Sequence, residues 1–386
     1  MVSAALRALP LRRPLAVVLV ALSLVGGLIG GLLRAGVALP VGGAAWVEPA
    51  IGQHAALLIC GFLGSVIGFE RAVAVRARPA LLAPLLSAAA GLALLAGWNA
   101  AARAGFVVAA LIFVAVNAVL VARQRAAHTV VLLLGALAWL LGNLAFWTGY
   151  QGPATLAWWF GFLVLTIAAE RLEMTRLMRR RPGAWPLFGA IVALLLAGAT
   201  LSCPSPDGGG ALYGAALSGL ALWLMRYDIA RRTVTTQGLS RYMALALLGG
   251  YGWLLLAGAG WIGLSLGQPT RDLALHALAI GFVLSMVMAH APVIAPAVLR
   301  IKVQFGWPFY LPLGLLHGSL VLRLVGGAFD GHLRATGALL NVAALALFAC
   351  TMVGAAVSWR VMHRRDAGKP HGAGAAVVLP TGEREV

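Results

Sequence analysis

The sequence predicts an all-α polytopic membrane protein of about twelve transmembrane helices, with both termini on the cytoplasmic side. Three observations carry that prediction. Hydrophobic residues make up 61% of the 386 and charged residues only 10%, with a strongly positive mean hydropathy, which is not the composition of a soluble globule. Apolar runs near the ~20 residues that span hydrocarbon recur twelve times with short connections. Basic residues crowd alternate connections, as the positive-inside rule requires of successive spans.

The runs lie at about 15–36, 52–72, 80–98, 104–122, 129–149, 154–176, 185–202, 210–226, 240–265, 272–299, 308–327 and 335–361. Arg7, Arg12 and Arg13 precede the first, and no small-residue cleavage site follows it, so it reads as a retained span. The next basic groups are Arg71, Arg76 and Arg78, then Arg123 and Arg125, then Arg176 and Arg179 to Arg181. They continue with Arg226, Arg231, Arg232 and Arg241, then Arg300 and Lys302, and end with Arg360, Arg364, Arg365 and Lys369. The intervening loops hold isolated arginines such as Arg103, Arg271 and Arg334. This alternation fits a multi-pass protein of a bacterial inner membrane, with residues 1–365 as one transmembrane domain. Residues 366–386, rich in Gly, Ala and Pro, read as a disordered cytoplasmic tail.

The net charge of +18 does not indicate nucleic acid, because the basic residues are scattered between apolar runs without interleaved aromatics. Three cysteines supply neither a disulfide framework nor a Cys-rich metal site. Walker loops, dinucleotide fingerprints, HExxH and nucleophile elbows are absent from the sequence. Trp46, Trp98, Trp147, Trp158, Trp261 and Trp307 fall near predicted interfaces and read as an aromatic belt.

A pattern of Gly-Phe-Leu/Val with Glu or His nine residues after the glycine occurs three times, as Gly61 to Glu70, Gly161 to Glu170 and Gly281 to His290. The copies fall on helices 2, 6 and 10, which run in the same direction, as a threefold repeat of four helices would place them. Ionisable residues inside a span are expensive and point to function. Glu70, Glu170 and His290 therefore form a predicted inner layer, with His317 approaching it from helix 11. These residues offer N and O ligands for copper or another divalent metal, or the acid and base groups of a proton relay. They are equally compatible with Glu–Arg pairs that include Arg71 and Arg171 and hold helices together. Tyr227-Asp228-Ile229-Ala230-Arg231-Arg232 reads as a solvated charged loop. Pro292 and Pro296 suggest a kink whose freed carbonyls face a cavity.

His54 and His276 begin helices 2 and 10 at the outer end, ~24 Å from Glu70 and ~21 Å from His290 respectively by axial rise. They share an outer layer, where two imidazoles can hold a haem between them. Arg323, in the outer half of helix 11, suits a haem propionate, and is also placed to snorkel to the headgroups. Gly61, Gly64 and Gly68 either leave room for a porphyrin or serve close helix packing.

With His54-Ala-Ala-Leu-Leu-Ile-Cys-Gly-Phe-Leu-Gly opening helix 2 and His276-Ala-Leu-Ala-Ile-Gly opening helix 10, the chain resembles the NnrS family of bacterial membrane proteins. Its layout is similar to subunit I of haem–copper oxidases. The resemblance implies haem held by His54 and His276, a role in respiratory or nitrogen-oxide metabolism, and a respiratory or nitrogen-oxide enzyme as partner. The chain lacks the adjacent His-His pair and the His-x-His of an oxidase binuclear centre, and has Ala-Pro-Val-Ile-Ala-Pro where NnrS proteins carry His-Thr-Gly-Arg. Against this stands a reading from another class: a cofactor-free proton- or divalent-metal-coupled transporter using Glu70, Glu170 and His290.

Overall fold

The computed structural model describes residues 12–150, 152–175, 183–299 and 301–367. The predicted tail from 368 onward, and the basic groups at Arg7, Arg176, Arg179 to Arg181 and Arg300, lie outside the described residues. Twelve helices are long and apolar enough to cross a membrane, and no strand occurs among the described residues. They are α1 (Val17–Arg34), α2 (Val47–Val75), α3 (Arg78–Leu95), α4 (Asn99–Arg123), α5 (Ala127–Trp147) and α6 (Pro153–Met174). The second half holds α7 (Ala184–Leu201), α8 (Pro206–Tyr227), α9 (Gly238–Ser265), α10 (Arg271–Pro296), α11 (Trp307–Phe329) and α12 (Gly331–Met362). The protein is thus an all-α polytopic membrane protein, in which lipid forces each span to satisfy its backbone polar groups internally. Several helices start earlier than the apolar runs: the first turns of α2, Val47 to His54, are mixed in polarity yet helical.

Packing follows a period of four. The pairs α1/α2, α5/α6 and α9/α10 recur, as do α3/α4, α7/α8 and α11/α12, and α12 meets α1 to close the series. α6 is the innermost element: 72% of its apolar window is buried inside the protein, against 17% for α12. It touches α2 and α10, so the three repeat-bearing helices meet at the centre. Close approach depends on small residues, as is usual where lipid gives helices no hydrophobic drive to associate. A Cβ at Gly214 of α8 would stand 2.6 Å from the Gly258 carbonyl of α9.

The same test decides the role of the α2 glycines. Gly61 lies against Ser23 and Gly91, Gly64 against the Trp139 indole, and Gly68 against Pro84. They serve helix packing against α1, α3 and α5 and leave no porphyrin-sized space. The α10 prolines also differ from expectation. The helix continues through Pro292 to Leu299, and the Met288 carbonyl four residues before Pro292 accepts a hydrogen bond from the Tyr242 hydroxyl at 3.2 Å. The carbonyl that the proline frees is satisfied by α9 rather than turned to a cavity. Of the belt tryptophans, Trp98, Trp147 and Trp307 are exposed, but Trp261 is buried against Tyr213 with ring centroids 5.0 Å apart.

Two central helices carry the same local irregularity. Leu57–Gly64 in α2 and Ala277–Leu284 in α10 are π-helical, each holding the Gly-Phe of the repeat, whereas the corresponding stretch of α6 stays α-helical. A third π segment, Leu322–Gly326, carries Arg323. Such wider turns interrupt the regular ladder and are frequent at functional sites.

Candidate functional site

The outer layer is built where α2 and α10 begin. α2 kinks at Gln53, whose φ and ψ of −120° and 18° are not helical, and His54 follows directly. His276 ends the first α-helical stretch of α10, just before its π segment. Both imidazoles line one cavity with Arg323 of α11. The remaining walls are mostly apolar side chains of α1, α2, α6 and α10 and the first half of α12, such as Leu28, Ile59, Phe160 and Val342, with Asn341 of α12 the one further polar residue. The non-atom space, counted to its open mouth, is about 1050 Å³, of which the centre of a water molecule can occupy about 160 Å³. The structure therefore brings together His54, His276 and Arg323, the three residues placed in this layer by counting axial rise.

Asp272, which the sequence reading passed over, orients two of them. Its Oδ1 lies 2.7 Å from Nδ1 of His276, an i, i+4 pair on one helix face, and 2.9 Å from Nη2 of Arg323. Its Oδ2 accepts from Nε of Arg323 at 3.2 Å. The carboxylate thus holds the guanidinium by two bonds and accepts the Nδ1–H of His276. That tautomer leaves the lone pair on Nε2, the arrangement in which a metal-binding histidine is commonly oriented by a carboxylate. Nη2 of Arg323 lies 3.0 Å from that Nε2. Arg323 is thus already committed to Asp272 and His276, and any group binding Nε2 must displace it. His54 is differently placed: its Nδ1 is buried with no hydrogen-bond partner, an expensive state inside a protein. Gly337 of α12 permits this assembly, since a Cβ there would stand 2.6 Å from the Arg323 backbone.

In the inner layer the repeat does bring its members to one region, but through arginines. Nη2 of Arg71 donates to Glu70 at 2.7 Å and to Glu170 at 3.0 Å, joining α2 to α6. Arg171, the corresponding arginine of the second copy, donates from Nε and Nη2 to the two oxygens of Asp228 at 2.8 and 3.0 Å. Its Nη1 lies 3.3 Å from Nε2 of His290, which ties in α10. Among the described residues no group of three His, Cys, Asp or Glu side chains is arranged to hold a metal ion. Asp228 corrects the reading of residues 227–232 as a solvated loop. Its side chain is 1% exposed, and its Oδ1 also accepts from the Ala230 backbone N–H at 2.7 Å, closing a local turn. Arg231 and Arg232 alone are exposed.

His317 is not part of this layer. Its Nδ1 accepts from the Trp253 indole N–H at 2.8 Å, and its ring lies beside Gly249 of α9. The count from a shared loop fails: Gly249 of α9 faces the His317 ring and its neighbour Gly250 faces Ser285 of α10, which lies five residues, ~8 Å by axial rise, outward of His290.

No curated protein and no solved structure is significantly similar to the chain. A family match covers residues 12–357, from the start of α1 into the last turns of α12, and includes every residue of both layers. The chain belongs to the family described as Domain of unknown function (DUF8744).

Proposed function

We propose that the protein is an NnrS-like haem-binding protein of the bacterial inner membrane, serving respiratory or nitrogen-oxide metabolism, with His54 and His276 as haem ligands. The observation that carries this reading is an apolar cavity onto which imidazoles from two different helices open. The donor set fits the group. His276 presents its Nε2 lone pair, oriented by Asp272 and met by Arg323 at 3.0 Å, and His54 has a buried nitrogen without a partner. Bound there, haem would supply one-electron redox chemistry whose potential depends on its axial ligands and on burial. The chain's own part is to orient and to exclude water: Asp272 fixes the His276 tautomer, and Ile59, Phe160 and Val342 keep the cavity apolar. Arg323 leaves Nε2 of His276 and remains on Asp272 or turns to an acidic group.

The test is an optical spectrum of protein purified from a haem-replete host. A haem absorption band that is lost or shifted in His54→Ala and His276→Ala supports the reading, and a colourless wild-type protein defeats it.

The transporter reading draws on a different observation, the sharing of Arg71 between Glu70 and Glu170. Those carboxylates are 30% and 23% exposed and lie in the last turns of α2 and α6. With no ligand cluster among the described residues, proton coupling is the form of this reading that the geometry favours. Proton uptake by reconstituted vesicles that Glu70→Gln abolishes would support it.

A further inference from the structure

Arginines are scarce at the end of the bundle that holds His54 and His276, and where they occur they gather. In the outer turns and loops they are Arg34, Arg103, Arg271, Arg323 and Arg334. Arg103 covers the Phe146 ring at 5.0 Å. The other four line a single vestibule whose wall also carries His54 and His276. It lies directly outside the apolar cavity, sharing with it Gly31, Leu275, both histidines and Arg323. The vestibule admits the centre of a water molecule over about 370 Å³.

Its charge is unbalanced. Asp272 is the one carboxylate on the wall, and it is taken up by Arg323 and His276. Arg34, Arg271 and Arg334 make no ion pair with a carboxylate of the described residues. Three like charges drawn from α1, α10 and α12 around one concavity repel one another, and a concave, low-dielectric wall focuses their field. An anionic oxygen group removes the repulsion, and guanidinium forks are suited to carboxylates and other oxyanions. Topology signals do not account for the clustering, because this end of the bundle is the one that the basic loops avoid.

We propose that Arg34, Arg271 and Arg334 form an anion-binding site at the mouth of the apolar cavity. The anionic oxygens belong either to the acidic end of a molecule whose apolar body fills the cavity or to a free small oxyanion. The first source rests on the haem reading and gives the propionate contacts to these three arginines instead of to Arg323; the second source is independent of it.

The experiment uses metal-free protoporphyrin IX and its dimethyl ester as probes, with binding followed by porphyrin fluorescence. Because neither contains iron, histidine ligation does not enter the result. If the cavity ligand supplies the anion, the full-length wild-type protein binds the diacid about tenfold or more tightly than the diester. Arg34→Gln/Arg271→Gln/Arg334→Gln then abolishes that preference, while His54→Ala retains it. If the anion is free, the two porphyrins bind alike or not at all. Sodium sulfate then raises the melting temperature of wild type, relative to an equal ionic strength of sodium chloride, and not that of the triple variant. The three side chains are exposed, so the variant is expected to fold; Arg334→Gln alone, with a smaller loss of the same kind, serves if it does not. A wild type that neither discriminates between the porphyrins nor responds to sulfate through these arginines overturns the proposal. Discrimination in a protein that never shows a haem spectrum would instead keep the anion site and remove the haem reading.

Discussion

The outer and inner polar layers of this bundle are made from similar residues and are finished differently. Both place arginine, carboxylate and histidine near the ends of α2 and α10. In the inner layer the arginines fill the space between their partners: Arg71 closes on Glu70 and Glu170, and Arg171 on Asp228 and His290. In the outer layer one carboxylate serves both Arg323 and His276, and His54 keeps an unpartnered nitrogen beside an apolar cavity. The inner network pairs each of its arginines with a carboxylate, though Nε of Arg71 keeps no partner, and so holds helices in place. A network left incomplete around a cavity has room and donors for a ligand.

Substitutions at Arg171, His276, Asp272 and Glu70 sharpen this comparison or break it. The largest effect is expected at Arg171, because its loss strands a carboxylate that is 1% exposed. Removing one partner of a buried pair costs about 3–5 kcal/mol, so Arg171→Leu should lower the melting temperature in detergent far more than any outer-layer change. Asp228→Leu added to it should recover part of the loss, since the stranded charge is then gone. If Arg171→Leu is no less stable than Asp272→Ala, the inner layer is not the structural one.

Next in size is His276→Ala, which should remove the haem band while changing stability by only ~1 kcal/mol. Equal damage to spectrum and stability would mean that the outer histidines hold the fold. Asp272→Asn should act more mildly, lowering haem affinity about 10–100-fold by releasing the His276 tautomer; haem titration of the variant measures this. An unchanged affinity would make Asp272 a partner of Arg323 only.

The smallest effect belongs to Glu70→Gln. The pair is partly exposed and Arg71 keeps Glu170, so a cost below ~1 kcal/mol is expected. Glu70→Gln/Glu170→Gln should cost more than the sum of the singles, because each carboxylate covers for the other. Additive losses in thermal melts would show that Arg71 does not share them.

Much of this was legible in the chain. His54 and His276 share an outer layer because a helix rises by a fixed amount per residue, and Arg323 was expected toward that layer as lying about one and a half turns beyond His317. Glu70 and Glu170 were legible through the repeat. Asp228 was not, since Arg171 lies 57 residues away and nothing local separates a buried Asp from a solvated one beside Arg231 and Arg232. Asp272 left a signal that could have been used, its i, i+4 spacing from His276 on the same helix face. His317 was misplaced because the count assumed that a loop returns the chain at equal depth.

The sequence by itself determined the membrane class, the twelve spans and the depth of most polar groups. These follow from local physics: lipid demands an unbroken apolar helix to satisfy the backbone, and axial rise converts residue number into depth. Only the tertiary structure decided which side chains meet at a given depth. That depends on how each helix is rotated about its axis. The rotation is set by contacts between distant segments, by Gly61, Gly64 and Gly68 fitting against their neighbours, by Gly337 admitting Arg323, and by π turns in α2 and α10 but not α6.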